Sequence, residues 1–278
     1  PLGIVWSSES VSPTMAVLLR MLIAASLGWG VVLIKKIHLP WHRKALTLYG
    51  YSSIGIVGGM LLAYMAARHL PSGTMSLIFG LAPIISGLLA QKILNEAKFS
   101  FIRKIAMFIS LFGLGLVCSE NIAFNQDSLF GLAYVLAAVF FFSLSGVMNK
   151  SVDINIHPLA TTVGSLLVSV PLFVIAWLIL DGTLPIDTWQ ARSIFAIIYL
   201  GVIGSLVGFV AYFYVLQKLD ASTVALITMI TPVIALSLGA FLNDEVISMN
   251  LVYGAIFVMT GLGLYQWGER LFVGKGKK

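Results

Sequence analysis

Residues 70–96 read LPSGTMSLIFGLAPIISGLLAQKILNE, and residues 219–245 read LDASTVALITMITPVIALSLGAFLNDE. Laid over one another without a gap, at a shift of 149 residues, they match Leu70 to Leu219, Thr74 to Thr223 and Leu77-Ile78 to Leu226-Ile227. The same shift matches Pro83 to Pro232, Ile85 to Ile234, Leu89 to Leu238 and Glu96 to Glu245. Coincident Leu and Ile carry little weight in apolar helices, but Thr, Pro and Glu at one common spacing mark an internal repeat. Downstream, Gly113-Leu114-Gly115-Leu116 matches Gly261-Leu262-Gly263-Leu264 with the shift reduced by one residue.

The rest of the chain sets this repeat in a membrane. Of 278 residues, 59% are hydrophobic and only 10% charged, and the mean hydropathy is +0.99; a soluble domain carries about 25% charged residues. Apolar stretches near the roughly 20 residues that a helix needs to cross the hydrocarbon core recur along the whole length. They fall at 13–34, 45–67, 72–93, 101–118, 128–150, 158–180, 193–217, 221–242 and 251–267. With no water to bond their backbones, these stretches must be helices. No basic leader with an Ala-x-Ala site precedes them, so no removable signal peptide is expected.

The formal charge of +6 is not gathered into a patch of the kind that binds nucleic acid. It alternates by loop. Lys35, Lys36, Arg43, Lys44, Lys92, Lys98, Arg103, Lys104, Lys150, Lys218, Arg270, Lys275, Lys277 and Lys278 fall on one side of the predicted bundle. The other side holds Arg68 and Arg192 against Glu9, Glu120, Asp127, Asp181, Asp187, Asp244 and Glu245. By the positive-inside rule the first side, with the C-terminus, is cytoplasmic. A multi-pass protein of a bacterial inner membrane is expected, in contact with lipid and acting as a monomer or weak dimer.

The repeated helices are five crossings apart, an odd number, so corresponding segments run in opposite directions. Glu96 is expected inside and Glu245 outside. Inverted repeats of this kind build secondary transporters, whose halves rock around a site near the midplane. The expected fold is therefore all-α, with ten transmembrane helices in two inverted five-helix repeats, residues 1–121 and 122–278. The helix 128–150 should have a partner ahead of Pro13, where only twelve residues stand, so the first helix is expected to be represented by its outer end alone.

The order of motifs resembles the EamA-type drug/metabolite transporters. The resemblance runs from Ile4 to Gly268 and rests on Val5-Trp6-Ser7-Ser8-Glu9, Ser12-Pro13-Thr14, Arg20-Met21, and Pro83 with Asn95-Glu96. In the second half it rests on His157-Pro158, Pro232 and Asp244-Glu245. It implies alternating-access transport of a small organic metabolite, amino-acid-like, nucleoside-like or cationic to zwitterionic, by an exporter, facilitator or exchanger. It also implies a central cavity walled by helices one, three, four, six, eight and nine of the ten.

Polar residues inside the spans are the candidates for the site. Arg20 lies about 10 Å beyond Pro13, at 1.5 Å per residue; its guanidinium is expected either to pair with Glu9 or to grip a substrate carboxylate. Pro83 and Pro232, mid-helix, are expected to kink the ladder and free carbonyls. Phe79 and Thr228 stand one turn before them, on the same faces by helical spacing, and Thr231 precedes Pro232. Trp6 and Ser7 on the first helix, Tyr51 and Tyr64 on the third, Ser143, Ser145 and Asn149 on the sixth, and Ser205 and Tyr212 on the eighth complete the set of candidate substrate-binding residues. Gly55, Gly58, Gly59, Gly201, Gly204 and Gly208 are read as packing residues.

No central Asp or Glu marks a proton-coupled pump, which favours a facilitator or exchanger. There is no Walker motif, no His-Glu-x-x-His and no Gly-x-Ser-x-Gly, so neither ATP hydrolysis nor intramembrane catalysis is expected, and no cofactor. His38, His42, His69, His157 and Cys118 lack metal-ligand spacing. A channel, the remaining rival, would need charge rings or carbonyl filters.

Overall fold

The computed structural model describes residues 1–121, 126–184, 186–218, 221–243 and 248–272. Among them every regular element is helical: α1 (Leu2–Ser7), α2 (Pro13–Ile34), α3 (Arg43–Ser53), α4 (Met60–Ala66), α5 (Ser72–Phe79), α6 (Ala82–Ile93) and α7 (Phe101–Asn121). Then follow α8 (Gln126–Ser151), α9 (Pro158–Leu180), α10 (Ala191–Tyr199), α11 (Gly208–Lys218), α12 (Ala221–Asn243) and α13 (Met249–Phe272). Six helical runs among the described residues are long and apolar enough to span a bilayer: Pro13–Ile34, Arg43–Ala66, Ser72–Ile93, Asp127–Ser151, Pro158–Leu180 and Ala191–Gln217. The helices α7, α12 and α13, of 21, 23 and 24 residues, are of comparable length.

Two long starts share one chemistry. Pro13 opens α2 and Pro158 opens α9, at the position where a helix has no use for the missing N–H. Each is preceded by a capping side chain: Ser12 Oγ accepts from the Met15 amide at 3.3 Å, and His157 Nδ1 from the Leu159 amide at 3.2 Å. Asn95 leaves α6 with φ +53° and Gly182 leaves α9 with φ +65°, the left-handed turn that Asn and Gly tolerate best.

Three spans depart from the α-ladder. Between α3 and α4 the chain runs as a π-helix, Ile54–Gly59, and between α10 and α11 as another, Leu200–Val207. The run 72–93 breaks at Gly80-Leu81, which places Pro83 in the first turn of α6. A mid-helix kink was expected at both prolines; Pro232 lies inside a continuous α12, whereas the first-half helix is interrupted outright.

Lipid tails are as apolar as leucine, so helices associate through close packing of small residues rather than by escape from water. The pair α7–α13 shows how. A Cβ on Gly113 would meet the Gly254 carbonyl at 2.7 Å, and one on Gly254 would meet the Gly113 carbonyl at 2.7 Å. A Cβ on Gly261 would meet the Ala106 carbonyl at 2.7 Å, and one on Gly268 would strike Ile102. Contacts that descend along α13 as they ascend along α7 make the pair antiparallel. The pair α2–α9 is antiparallel too, with Thr14 beside Asp181 and Gly28 against Val163. Along α9, Ser165 and Ser169 donate to the carbonyls of Thr161 and Ser165, both at 2.7 Å, so these hydroxyls serve the helix itself.

Gly113→Leu is expected to force the α7–α13 backbones apart and to lower stability by about 1–3 kcal/mol, the usual overpacking penalty, read as a lower unfolding midpoint in detergent. Asp181, just beyond α9, is held below the usual carboxylate range by hydroxyl bonds from Ser12 and Thr183, with Thr14 and Arg68 adding to the effect. A depressed native pKa stabilises above the unfolded value and is lost as pH falls through the native one. Asp181→Asn should therefore flatten the acid limb of the stability–pH curve.

Candidate functional site

A cavity of about 800 Å³ lies at the centre of the bundle. Its walls are Ser52 on α3, Gly55 and Ile56 in the first π-helix, Pro83 and Ser86 on α6, and Phe142, Ser143, Ser145 and Asn149 on α8. Gly204 in the second π-helix, with Gly208, Phe209 and Tyr212 on α11, closes the ring. At one end the lining becomes charged, with Glu96, Arg103, Lys150 and Glu269. This is the mouth. Arg103 bonds Glu269 at 3.4 Å and lies 5.5 Å from the centre of the Tyr265 ring, which meets Phe99 edge-on.

The wall hydroxyls are held in place. Ser52 Oγ donates to Asn149 Oδ1 at 3.2 Å, Ser145 Oγ to the Ser52 carbonyl at 3.4 Å, and Ser143 Oγ to the Ala82 carbonyl at 3.3 Å. Their lone pairs remain available as acceptors. Asn149 Nδ2 is buried with no hydrogen-bond partner among the described residues. A smaller polar chamber of about 370 Å³ adjoins at Asn149 and Lys150 and includes Asp153, Thr161 and Gln217.

The opposite end is shut by side chains near the N-terminus. Trp6 Nε1 donates to Asn243 Oδ1 of α12 at 2.9 Å, and Ser193 Oγ of α10 donates to the Trp6 carbonyl at 2.8 Å. Arg192 bonds Glu9 at 3.5 Å and its guanidinium sits 4.5 Å from the Trp6 ring centre. Ser7 Oγ donates to the Tyr64 hydroxyl at 3.3 Å. A half-exposed ion pair contributes about 0–1 kcal/mol and an exposed cation–π contact about 0.5–1 kcal/mol. Such a latch holds by number, not by any one strong bond, and can be undone piecemeal.

Arg20 is 3% exposed, and its Nε donates to Ser205 Oγ at 2.6 Å. Glu9 is taken by Arg192, so the pairing of Glu9 with Arg20, one of two roles left open by the sequence, is not formed.

The candidates thus divide. Pro83, Ser143, Ser145, Asn149 and Tyr212 line the cavity; Trp6, Ser7 and Tyr64 belong to the latch; Arg20 and Ser205 form a buried pair behind the cavity wall. Phe79 is cut off from Pro83 by the helix break and packs on Phe142 with ring centres 5.8 Å apart. Tyr51, Thr231 and Pro232 do not line the cavity. Asp244 and Glu245 lie outside the described residues, as do the side chains of Thr228 and Cys118. Among the described residues, α3 with the first π-helix, α6, α8 and the second π-helix with α11 contribute walls, α7 and α13 join at the mouth, and no described side chain of α12 lines the cavity.

Ser52, next to the named Tyr51, was missed because adjacent helical positions point about 100° apart and the π-helix begins two residues on. Gly55, Gly204 and Gly208 were read as packing alone. Their clustering in both repeats with hydroxyl neighbours was the available signal.

A helical bundle with membrane-spanning helices around a central cavity is an architecture that fits a transporter. The chain belongs to the EamA-like transporter family, whose model matches residues 3–119 and again 129–266. An uncharacterized transporter, YoaV of Bacillus subtilis, is 24% identical over 246 residues, 88% of this chain and 84% of the relative. A probable amino-acid metabolite efflux pump of Escherichia coli is 25% identical over 169 residues, 58% of this chain and 56% of the relative. A solved crystal structure at 15% identity superposes with a TM-score of 0.68, covering 97% of this chain and 96% of that one, a likeness of fold.

Trp6→Phe keeps the ring beneath Arg192 and deletes the bond to Asn243; the expected loss is about 1 kcal/mol. Combined with Arg192→Ala in a double-mutant cycle, measured by unfolding in detergent, the two should be non-additive by more than about 0.5 kcal/mol if the latch acts as one unit.

Proposed function

We propose that this protein is a secondary transporter of ten helices in two inverted repeats, residues 1–121 and 122–278, that moves a small organic metabolite by alternating access. The observation that carries this reading is the one-ended cavity: open at the charged mouth, latched at Trp6, Glu9 and Arg192. The mouth carries Arg103 and Lys150, from the basic side of the sequence, so this is the cytoplasm-facing state, with the C-terminus in the cytoplasm of a bacterial inner membrane.

Several features support the inversion. The family model matches the chain twice, once on either side of residue 122. Helices that the repeat makes equivalent, α2 with α9 and α7 with α13, pack antiparallel. A π-helix interrupts the third helix of one half and the eighth helix overall at corresponding places. The cavity's hydroxyls and aromatic rings suit a small organic molecule better than a bare ion, and one relative is named a probable amino-acid metabolite efflux pump. A facilitator or exchanger is the preferred mode.

Counterflow in proteoliposomes, with labelled amino acids, nucleosides and quaternary ammonium metabolites, tests the carrier reading; a saturable exchange is expected, and flux linear in concentration would indicate a pore. In a Cys118→Ala background, a thiol-specific bifunctional cross-linker joining Glu9→Cys to Arg192→Cys should abolish counterflow, and cleaving the linker should restore it. Undiminished exchange in the cross-linked protein would show that the latch need not open.

A further inference from the structure

The buried pair Arg20–Ser205 has a physical imbalance that the transporter reading leaves unused. Arg20 is 3% exposed, yet among the described residues its side chain makes one hydrogen bond, Nε to a neutral hydroxyl. Its Nη1 is buried and has no hydrogen-bond partner among the described residues. Glu9, the nearest acidic candidate in sequence, is bonded to Arg192. Arginine stays charged in proteins, and a buried cation without an anion is costly.

The location of that charge is specific. The carbonyl of Arg20 lies 3.2 Å from where a Cβ on Gly201 would stand, so α2 seats directly on the second π-helix. One turn on, the guanidinium Nη2 lies 3.4 Å from where a Cβ on Gly204 would stand. Gly204 also lines the central cavity. Gly204, which adds no side chain to its backbone, therefore stands between the end of Arg20 and the cavity. The acidic residues of the lining, Glu96 and Glu269, are both at the mouth, and Glu269 is paired with Arg103. Around Gly204 the cavity offers apolar and aromatic surface, Ile56, Pro83, Phe142 and Phe209.

We infer that Arg20, acting past Gly204, is the specificity determinant for a carboxylate, and that the substrate is an organic anion with an apolar or aromatic body. The inference rests on the transporter reading above and names the substrate class of that same cavity. The carboxylate would be drawn to the guanidinium, whose Nη2 lies beside Gly204 and whose Nη1 has no partner among the described residues, while the body of the molecule occupies the aromatic walls. Ser205 holds the guanidinium at Nε, which leaves the bonds of the two Nη groups to other partners.

Ligand binding read as thermal stabilisation of the full chain in detergent needs no transport, so it separates this inference from the carrier reading. Three probes share one body: phenylacetate, 2-phenylethanol and 2-phenylethylamine. Phenylacetate is expected to stabilise the wild-type protein with an apparent affinity at least tenfold above either of the others. Arg20→Gln should remove that preference, and Arg20→Lys should restore part of it without the geometry of the fork. Gly204→Ala places a methyl group over the guanidinium end and should weaken phenylacetate several-fold more than 2-phenylethanol; it decides the matter alone if Arg20→Gln does not fold. A wild-type protein indifferent among the three probes, or one preferring the amine, overturns the inference. So does an Arg20→Gln protein that keeps its preference for the anion, or a Gly204→Ala protein weakened equally toward all three.

Discussion

Hydrocarbon offers no hydrogen-bond partner to a peptide group, and the rest of this structure follows from that constraint. It makes every apolar run a helix. It also decides where a helix can stop being regular, since a loosened carbonyl or amide must find protein or a cavity beside it. The three irregular stretches obey this rule. Gly55 and Ile56 of the first π-helix, Gly204 of the second, and Ala82-Pro83 just past the break all line the central cavity. Backbone disorderly by helical standards is therefore gathered at the one place in the bundle that has need of polar groups, and the Ala82 carbonyl there is met by Ser143.

The two ends of the cavity differ in how they are held. The latch joins α1 to α4, α10 and α12 through an indole N–H, two serine hydroxyls and a half-exposed ion pair. The mouth has its own pair, Arg103–Glu269, but both partners belong to α7 and α13, whose backbones already touch through Gly113, Gly254 and Gly261. That pair ties two helices already joined, and it leaves the mouth open. On the carrier reading proposed above, closing the mouth and opening the latch would exchange contacts of similar weakness, so that neither state is trapped.

Much of this was legible in the sequence, for a reason that also marks the limit. Span positions depend on the sum of some twenty side chains, so hydropathy located α2 and α9 to the residue. The repeat offset depends on identities and needed no geometry. A side chain's direction depends on helical phase, and phase is lost at each irregular stretch. Tyr51 was named in place of Ser52 just ahead of a π-helix, and Phe79 was put on the face of Pro83 across a break. The latch was written in Val5-Trp6-Ser7-Ser8-Glu9, but its partners Arg192, Ser193 and Asn243 lie more than 180 residues away, a distance no local pattern spans.

The two prolines show how one motif can have two outcomes. Pro83 and Pro232 are equivalent in the repeat, and both deprive the residue four before them of an amide partner. The first helix breaks and the second does not. Three residues ahead of Pro83 stands Gly80, whereas three ahead of Pro232 stands Met229. Glycine in a helix interior costs about 1 kcal/mol relative to alanine, and added to the lost ladder bond it tips the chain out of helix. The break is then fixed by its surroundings, because a Cβ on Gly80 would meet the Leu77 carbonyl at 2.9 Å and Leu262 of α13 at 3.4 Å. Asymmetry between the halves thus begins with one residue: it puts the open backbone of Ala82-Pro83 on the cavity from the first half, while the second half contributes its π-helix, backed by Arg20 of the first half.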